Sequence, residues 1–155
     1  MLSHEQLFNG TIEENISMGR PNLDFKMVQK AADKVGLTSF IQELNDGYNT
    51  VINPGGRSIP RSVALKMLIA RGIADNPKLL LLEEFLHNLE LKERQRLTNV
   101  LTDKDAPWTM IAVSNDPLFA SQCDQVLVLR DGKIVEHGTY QEIKDRECFT
   151  DLFTY

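Results

Sequence analysis

An α/β fold is the class this sequence predicts, on three observations. Leu79-Leu80-Leu81-Leu82 is a continuous apolar run, the pattern of a parallel-sheet strand buried on both faces. Upstream, residues 25–35 and 60–74 carry apolar side chains at helical spacing. Downstream, Gln125 to Leu129 and Lys133 to Glu136 flank Arg130-Asp131-Gly132, and an Asp-Gly pair in that setting marks a β-hairpin.

The elements follow in chain order. Asn9-Gly10 is a turn pair, and Thr11 is placed to N-cap a short helix whose first turn holds Glu13 and Glu14, where the helix dipole favours acids. Pro21 and Asn22 break it. Phe25, Val28, Ala31, Ala32 and Val35 define a second helix that ends at Gly36. A third helix covers about 39–44, Asn45-Asp46-Gly47 closes it, and Tyr48 to Ile52 reads as extended. Pro54, Gly55, Gly56 and Pro60 punctuate a loop, after which a helix runs from Pro60, suited to a first turn, to Ala74. Asp75-Asn76-Pro77 stops that helix ahead of the leucines. Residues 90–101 form a polar-faced helix, 109–114 a second buried strand and 117–123 a short helix. Gly138-Thr139 introduces a last helix from Tyr140.

Composition narrows the function. With 155 residues, 42% of them hydrophobic, the chain suffices for one core, so a single domain or a large piece of one is expected. Its 17 basic and 22 acidic residues are interspersed and give a net charge of -5, which leaves no basic stripe for a nucleic-acid backbone. Cys123 and Cys148 form no metal-binding spacing and suit structural thiols in a reducing compartment. No run approaches the roughly 20 apolar residues that span a bilayer, and the N-terminus has no signal-peptide layout, so a soluble cytosolic chain is expected.

The most chemical feature is Glu83-Glu84 at the end of the leucine run. A strand that delivers two carboxylates to its C-terminal end puts them where open α/β sheets bind ligands, and such a pair can hold Mg²⁺ and orient water. Acids that simply begin a solvated loop would look the same, and residue chemistry alone leaves both readings open.

The order of segments resembles the nucleotide-binding domain of ATP-binding cassette (ABC) transporters of the exporter type. Leu7 to Ile16 is similar to the stretch after the family's Q-loop; Gly55-Gly56-Arg57, Ile69-Ala70-Arg71, Asn76-Pro77, the leucines with Glu83-Glu84, and Val126 to Thr139 then come in family order. The resemblance implies a partial P-loop NTPase-like cassette: a helical subdomain over about 11–74, and over about 75–155 half of a parallel-sheet core with a C-terminal hairpin and helix. It also implies ATP and Mg²⁺ for the complete domain, a transmembrane domain and a second nucleotide-binding domain as partners, and a place at the cytoplasmic face of the membrane. The Walker A pattern G-x-x-x-x-G-K-[ST] occurs nowhere in these residues, so tight ATP binding by this piece alone is not expected.

Carried over position by position, the family's site is largely altered. The Q-loop glutamine falls at Ser3, whose hydroxyl is a short, weak ligand for Mg²⁺. The LSGGQ signature falls on Ile59-Pro60-Arg61-Ser62-Val63, where Pro60 supplies neither hydroxyl nor N–H and Arg61 replaces a glycine that lets backbone approach phosphate closely. Glu83 stands for the Walker B aspartate, one methylene longer, and Glu84 matches the catalytic glutamate that orients or deprotonates water. The D-loop becomes His87-Asn88-Leu89-Glu90, the switch histidine becomes Asn115, and the X-loop pair reads Asn53-Pro54. These changes predict a degenerate, weakly catalytic or non-catalytic half of an exporter pair. Two alternatives stay open: a working ATPase using Arg61, Glu83 and Glu84 in unusual roles, and an interaction module docking through Thr11 to Ala74, with Phe25, Phe40, Phe149 and Phe153 as bulky apolar side chains that are more often core.

Overall fold

The structure is a computed structural model that describes residues 6–83, 86 and 89–153, Phe153 by its backbone alone. Strand β1 (Gly10–Thr11) leads directly into helix α1 (Ile12–Ser17). Thr11 and Glu14 form a reciprocal capping box at that junction: the Glu14 N–H donates to Thr11 Oγ1 at 3.0 Å, and the Thr11 N–H donates to Glu14 Oε2 at 2.7 Å. Helix α2 (Phe25–Lys34) is capped by Asp24 and closes through Gly36, and α3 (Thr38–Gln42) follows. Of the expected extended stretch 48–52 only β2 (Val51–Ile52) is strand; Gly47–Asn49 curls into a 3₁₀ turn because Gly47 takes a φ of +50° after the Asn-Asp pair. β2 pairs antiparallel with β1, a strand that two residues of sequence could not announce.

Helix α4 (Arg61–Ile73) is the spine of the helical region, packed by α1 and α2. Its attachment to the N-terminal segment is polar as well as apolar. Arg71, only 9% exposed, donates from Nε to the Asn15 carbonyl at 2.7 Å, from Nη2 to Asn15 Oδ1 at 3.0 Å and from Nη1 to the Gln6 carbonyl at 3.1 Å. Asn15, fully buried, uses the rest of its amide on the backbone: Oδ1 accepts the Phe8 N–H, and Nδ2 donates to the carbonyls of Phe8, Gly10 and Thr11. Arg20 closes the circuit by donating to the Arg71 carbonyl at 2.8 Å. Buried polar groups persist when they are satisfied in this way.

The second half contains β3 (Leu79–Glu83), α5 (Leu91–Leu101), β4 (Thr109–Val113), α6 (Pro117–Ala120), β5 (Val126–Arg130), β6 (Lys133–Gly138), and the short helices α7 (Tyr140–Ile143) and α8 (Glu147–Thr150). β3 and β4 are parallel, registered from Leu79↔Thr109 to Glu83↔Val113; β5 and β6 form the hairpin. Asp131 and Gly132 sit at φ +52° and +75°, the two left-handed positions of a type I′ turn. The main core joins Ile12, Ile16, Val28, Met67, Ile69 and Leu37 of the helical region to Leu80, Leu82, Leu97, Leu101 and Trp108, and Trp108 Nε1 donates to the Leu101 carbonyl at 3.0 Å. A smaller cluster holds Val128, Ile143 and Phe149.

One expectation is corrected here. Both parallel strands were expected to be buried on two faces, but Leu80 and Leu82 are buried while Leu79 and Leu81 are 52% and 45% exposed, and Ile111 and Val113 are each 60% exposed. One face rests on the core and the other is about half exposed or more, so burial is one-sided. The four phenylalanines also divide. Phe149 is buried in the smaller cluster, Phe40 is partly buried against the main core, Phe25 is exposed with its ring edge-on to Tyr48, and the Phe153 side chain lies outside the described residues.

Two stability contrasts follow from this packing. Leu82→Ala is expected to cost about 2–5 kcal/mol and Ile111→Thr less than about 1 kcal/mol, measured as the shift in the urea midpoint at constant slope; equal costs would contradict the one-sided core. Asn15→Ala leaves the Phe8 N–H and part of the Arg71 guanidinium without acceptors, an expected loss of about 3 kcal/mol by the same measurement.

Candidate functional site

The functional positions fall on two separate parts of the fold. At the C-terminal edge of the parallel sheet, the register Glu83↔Val113 places half-buried Glu83 at the end of β3, while exposed Asn115 stands two residues past the end of β4. These two expected residues are thus brought to one edge, the edge where open α/β sheets bind ligands. Beside them Glu90, exposed, is the N-cap residue of α5, without a side-chain capping bond. Ser3, Glu84, His87 and Asn88 lie outside the described residues.

The second part is the start of α4. Pro60 occupies the N-cap position, one residue before the first turn where the sequence suggested it, and its carbonyl accepts the Ala64 N–H at 3.0 Å. No side chain caps this helix. Pro60 and Arg61 are exposed, Ser62 is half-buried and Val63 is buried, so the last of these anchors the turn while the others face outward. The approach to it is fixed by Gly56, at φ +68°, where a Cβ would come within 3.1 Å of Ala64 and 3.2 Å of Leu7. α4 meets β3 at its other end, where Gly72 lies under Leu80. Eleven residues of helix separate Arg61 from Gly72, about 16 Å along the axis, so the signature positions stand well away from the turn that touches the sheet.

The residues fit the family's ligands unevenly. Mg²⁺ is commonly held by one or two carboxylates together with phosphate oxygens and water. Glu83 at the strand end supplies one such carboxylate, and among the described residues no group of three His, Cys, Asp or Glu side chains makes a cage of its own. An anion at α4 would meet the open N–H groups of an uncapped helix start, but no hydroxyl at Pro60 and the long side chain of Arg61 in the approach.

Asp116, which the sequence reading passed over, organises the strand-end loop. Its Oδ1 accepts the N–H groups of Leu118 at 2.8 Å and Phe119 at 3.2 Å, capping α6, and its own N–H donates to Ser114 Oγ at 3.1 Å. Its Oδ2 meets Arg94 Nη1 at 3.1 Å. An Asp-Pro pair opening a helix was the available signal. Elsewhere the thiol of Cys123 is pushed up by burial and by Asp124, in keeping with an inert structural role.

No protein-family model matches the chain. Curated proteins and solved structures do. The uncharacterized ABC transporter ATP-binding protein YfiC of Bacillus subtilis is 30% identical over 154 residues, 99% of this chain and 26% of the relative. ABC transporter B family member 13 of Arabidopsis thaliana is 32% identical over 137 residues, 88% of this chain and 11% of the relative. A solved bacterial Atm1-family ABC exporter with ATP bound superposes with a TM-score of 0.87 at 26% identity, over 97% of this chain and 27% of that one.

Over most of its length the chain matches ATP-binding proteins of ABC transporters, exporters among them. It spans about a quarter of YfiC and about a tenth of the Arabidopsis protein. The mixed helix and strand architecture is that of an ABC exporter segment, as the order of the sequence blocks implied. Among the described residues no helix is long and apolar enough to cross a membrane.

The C-terminal hairpin that carries the longest family block ends on a second capping box. Glu142 Oε2 accepts the N–H and the hydroxyl of Thr139, both at 2.8 Å, which hold its carboxyl below the usual glutamate range. A lowered folded pKa contributes stability that is present above the unfolded value and is lost as pH falls through it. α7 is therefore expected to loosen between about pH 5 and 3, and Glu142→Gln to remove that pH dependence, read from amide exchange at Tyr140 to Lys144.

Proposed function

We propose that this chain is a segment of the ATP-binding domain of an ABC exporter, with residues about 11–74 as its helical subdomain and about 75–155 as part of its nucleotide-facing core, and that it forms the weakly catalytic or non-catalytic half of a pair. In this reading it works at the cytoplasmic face of a membrane, against a transmembrane domain and a second nucleotide-binding domain, and couples ATP binding to export. Relatives that are ABC exporter ATP-binding proteins support the transport role.

The observation that carries the degenerate part is Pro60 at the cap of α4. A helix start that is to hold a γ-phosphate gains from a hydroxyl and from close glycine backbone; here the cap position has neither hydroxyl nor N–H, and Arg61 follows it, exposed. Mg²⁺, when bound, would spread the charge of the phosphates. Glu83 would be its protein carboxylate, with Ser3 a weak second ligand. Glu84 would orient the attacking water or take its proton, the role its position implies. Asn115 can donate a hydrogen bond to a phosphate oxygen, but unlike imidazole it carries no charge and relays no proton.

The test restores what is missing. In the whole membrane protein that carries this chain, combining Pro60→Ser, Arg61→Gly and Asn115→His is expected to raise ATP turnover at least about tenfold. Unchanged turnover, in a variant that still assembles, would place the defect elsewhere. Turnover that falls would favour the working-ATPase alternative with Arg61 as a phosphate ligand.

A further inference from the structure

We propose that Arg94 is a positioning residue for Asn115, tying the strand-end loop to the first turn of α5 through the carboxylate of Asp116. The inference rests on the reading of Asn115 and Glu90 as nucleotide-facing positions and concerns how they are held. Arg94 lies one turn into α5, and its N–H donates to the Glu90 carbonyl at 2.9 Å. Its guanidinium reaches across to Asp116 Oδ2 at 3.1 Å. Asp116 is the next residue after Asn115, and three more hydrogen bonds fix it, from Leu118, from Phe119 and to Ser114 on the other side of Asn115. A chain of four short links thus runs from Glu90 to Asn115: one backbone hydrogen bond, one side chain, one ion pair and one peptide bond.

Two features set this pair apart from an ordinary surface salt bridge. The Asp116 side chain is 10% exposed, so solvent screens it weakly. Arg94 Nε is buried and, among the described residues, meets no acceptor. An unpaired buried donor costs stability, and a local cost of this kind at a site edge is more readily explained by placement of a neighbouring group than by stability. Asn115 itself is exposed, with the hydrogen-bonded Ser114 and Asp116 on either side of it. A shift of the α5 start, where Glu90 sits, would then be carried to Asn115 by rigid contacts.

The side-chain amide resonances of Asn115 in the 155-residue chain test this. Arg94→Met keeps the length and apolar contact of the side chain and removes its charge; Asp116→Asn keeps the α6 cap, since asparagine caps about as well as aspartate, and removes the ion pair. Each is expected to shift the Asn115 pair, the double variant to shift it no further than either single one, and Arg94→Lys to return it most of the way. An Asn115 pair unmoved in both single variants overturns the proposal even if the melting temperature falls, and so do shifts that add in the double variant. If Arg94→Met does not fold, Asp116→Asn with Arg94→Lys carries the same comparison. Nucleotide affinity of the assembled transporter that contains this chain separates the underlying reading: Asn115→Ala that leaves that affinity unchanged, while Arg94→Met still shifts the Asn115 pair, keeps the linkage and removes the nucleotide role.

Discussion

The buried guanidinium of Arg71 and the amide of Asn15 are the constraint on which the first half of the molecule depends. An arginine taken out of water must be met on several of its donors, and here the acceptors are two backbone carbonyls and one side-chain amide from the segment 6–15. That segment has little regular structure with which to hold itself, two residues of strand and one short helix. Its path is therefore set by α4, through Arg71 from below and through Asn15 binding the carbonyls of Phe8, Gly10 and Thr11. Because the same helix α4 carries at its other end the positions that the resemblance assigns to the signature, the polar anchor and that turn belong to one helix.

Much of this was legible. Capping chemistry at Thr11 and Thr139, the Gly36 stop and the Asp131-Gly132 turn each rest on local backbone preferences that three or four residues specify, so sequence alone placed them. The two parallel strands were also readable as apolar runs, while their place in one parallel core was implied by the family resemblance. What sequence could not supply is contact at a distance. Asn15, which no local signal marks, is the hub of a network reaching 56 residues along the chain. The ion pair between Arg94 and Asp116 is likewise a tertiary fact. The exposed faces of Leu79 and Ile111 follow from what the chain does not place over them, which no periodicity reveals.

The site divides along the same line. Glu83 and Asn115 were expected at a strand end and share one edge in the fold, since parallel register alone suffices to bring them there. The signature positions were recognisable only through resemblance, and their consequence became concrete at the α4 start, where Pro60 occupies the cap itself. The proposal of a weakly catalytic or non-catalytic half rests on a contrast in the sequence: the blocks that build the fold resemble the family's, while the positions that the resemblance assigns to nucleotide differ from its motifs, except Glu84.

Glu84 is the one position at which the family's chemistry is kept in kind, so it gives the most direct measurement of the central claim. Under the proposed division of labour, ATP turnover by the assembled transporter that contains this chain is expected to be essentially the same with Glu84→Gln as without it, because the attacking water would be activated in the second domain. Loss of turnover on that single substitution, with assembly intact, would contradict the account and make this chain the working site.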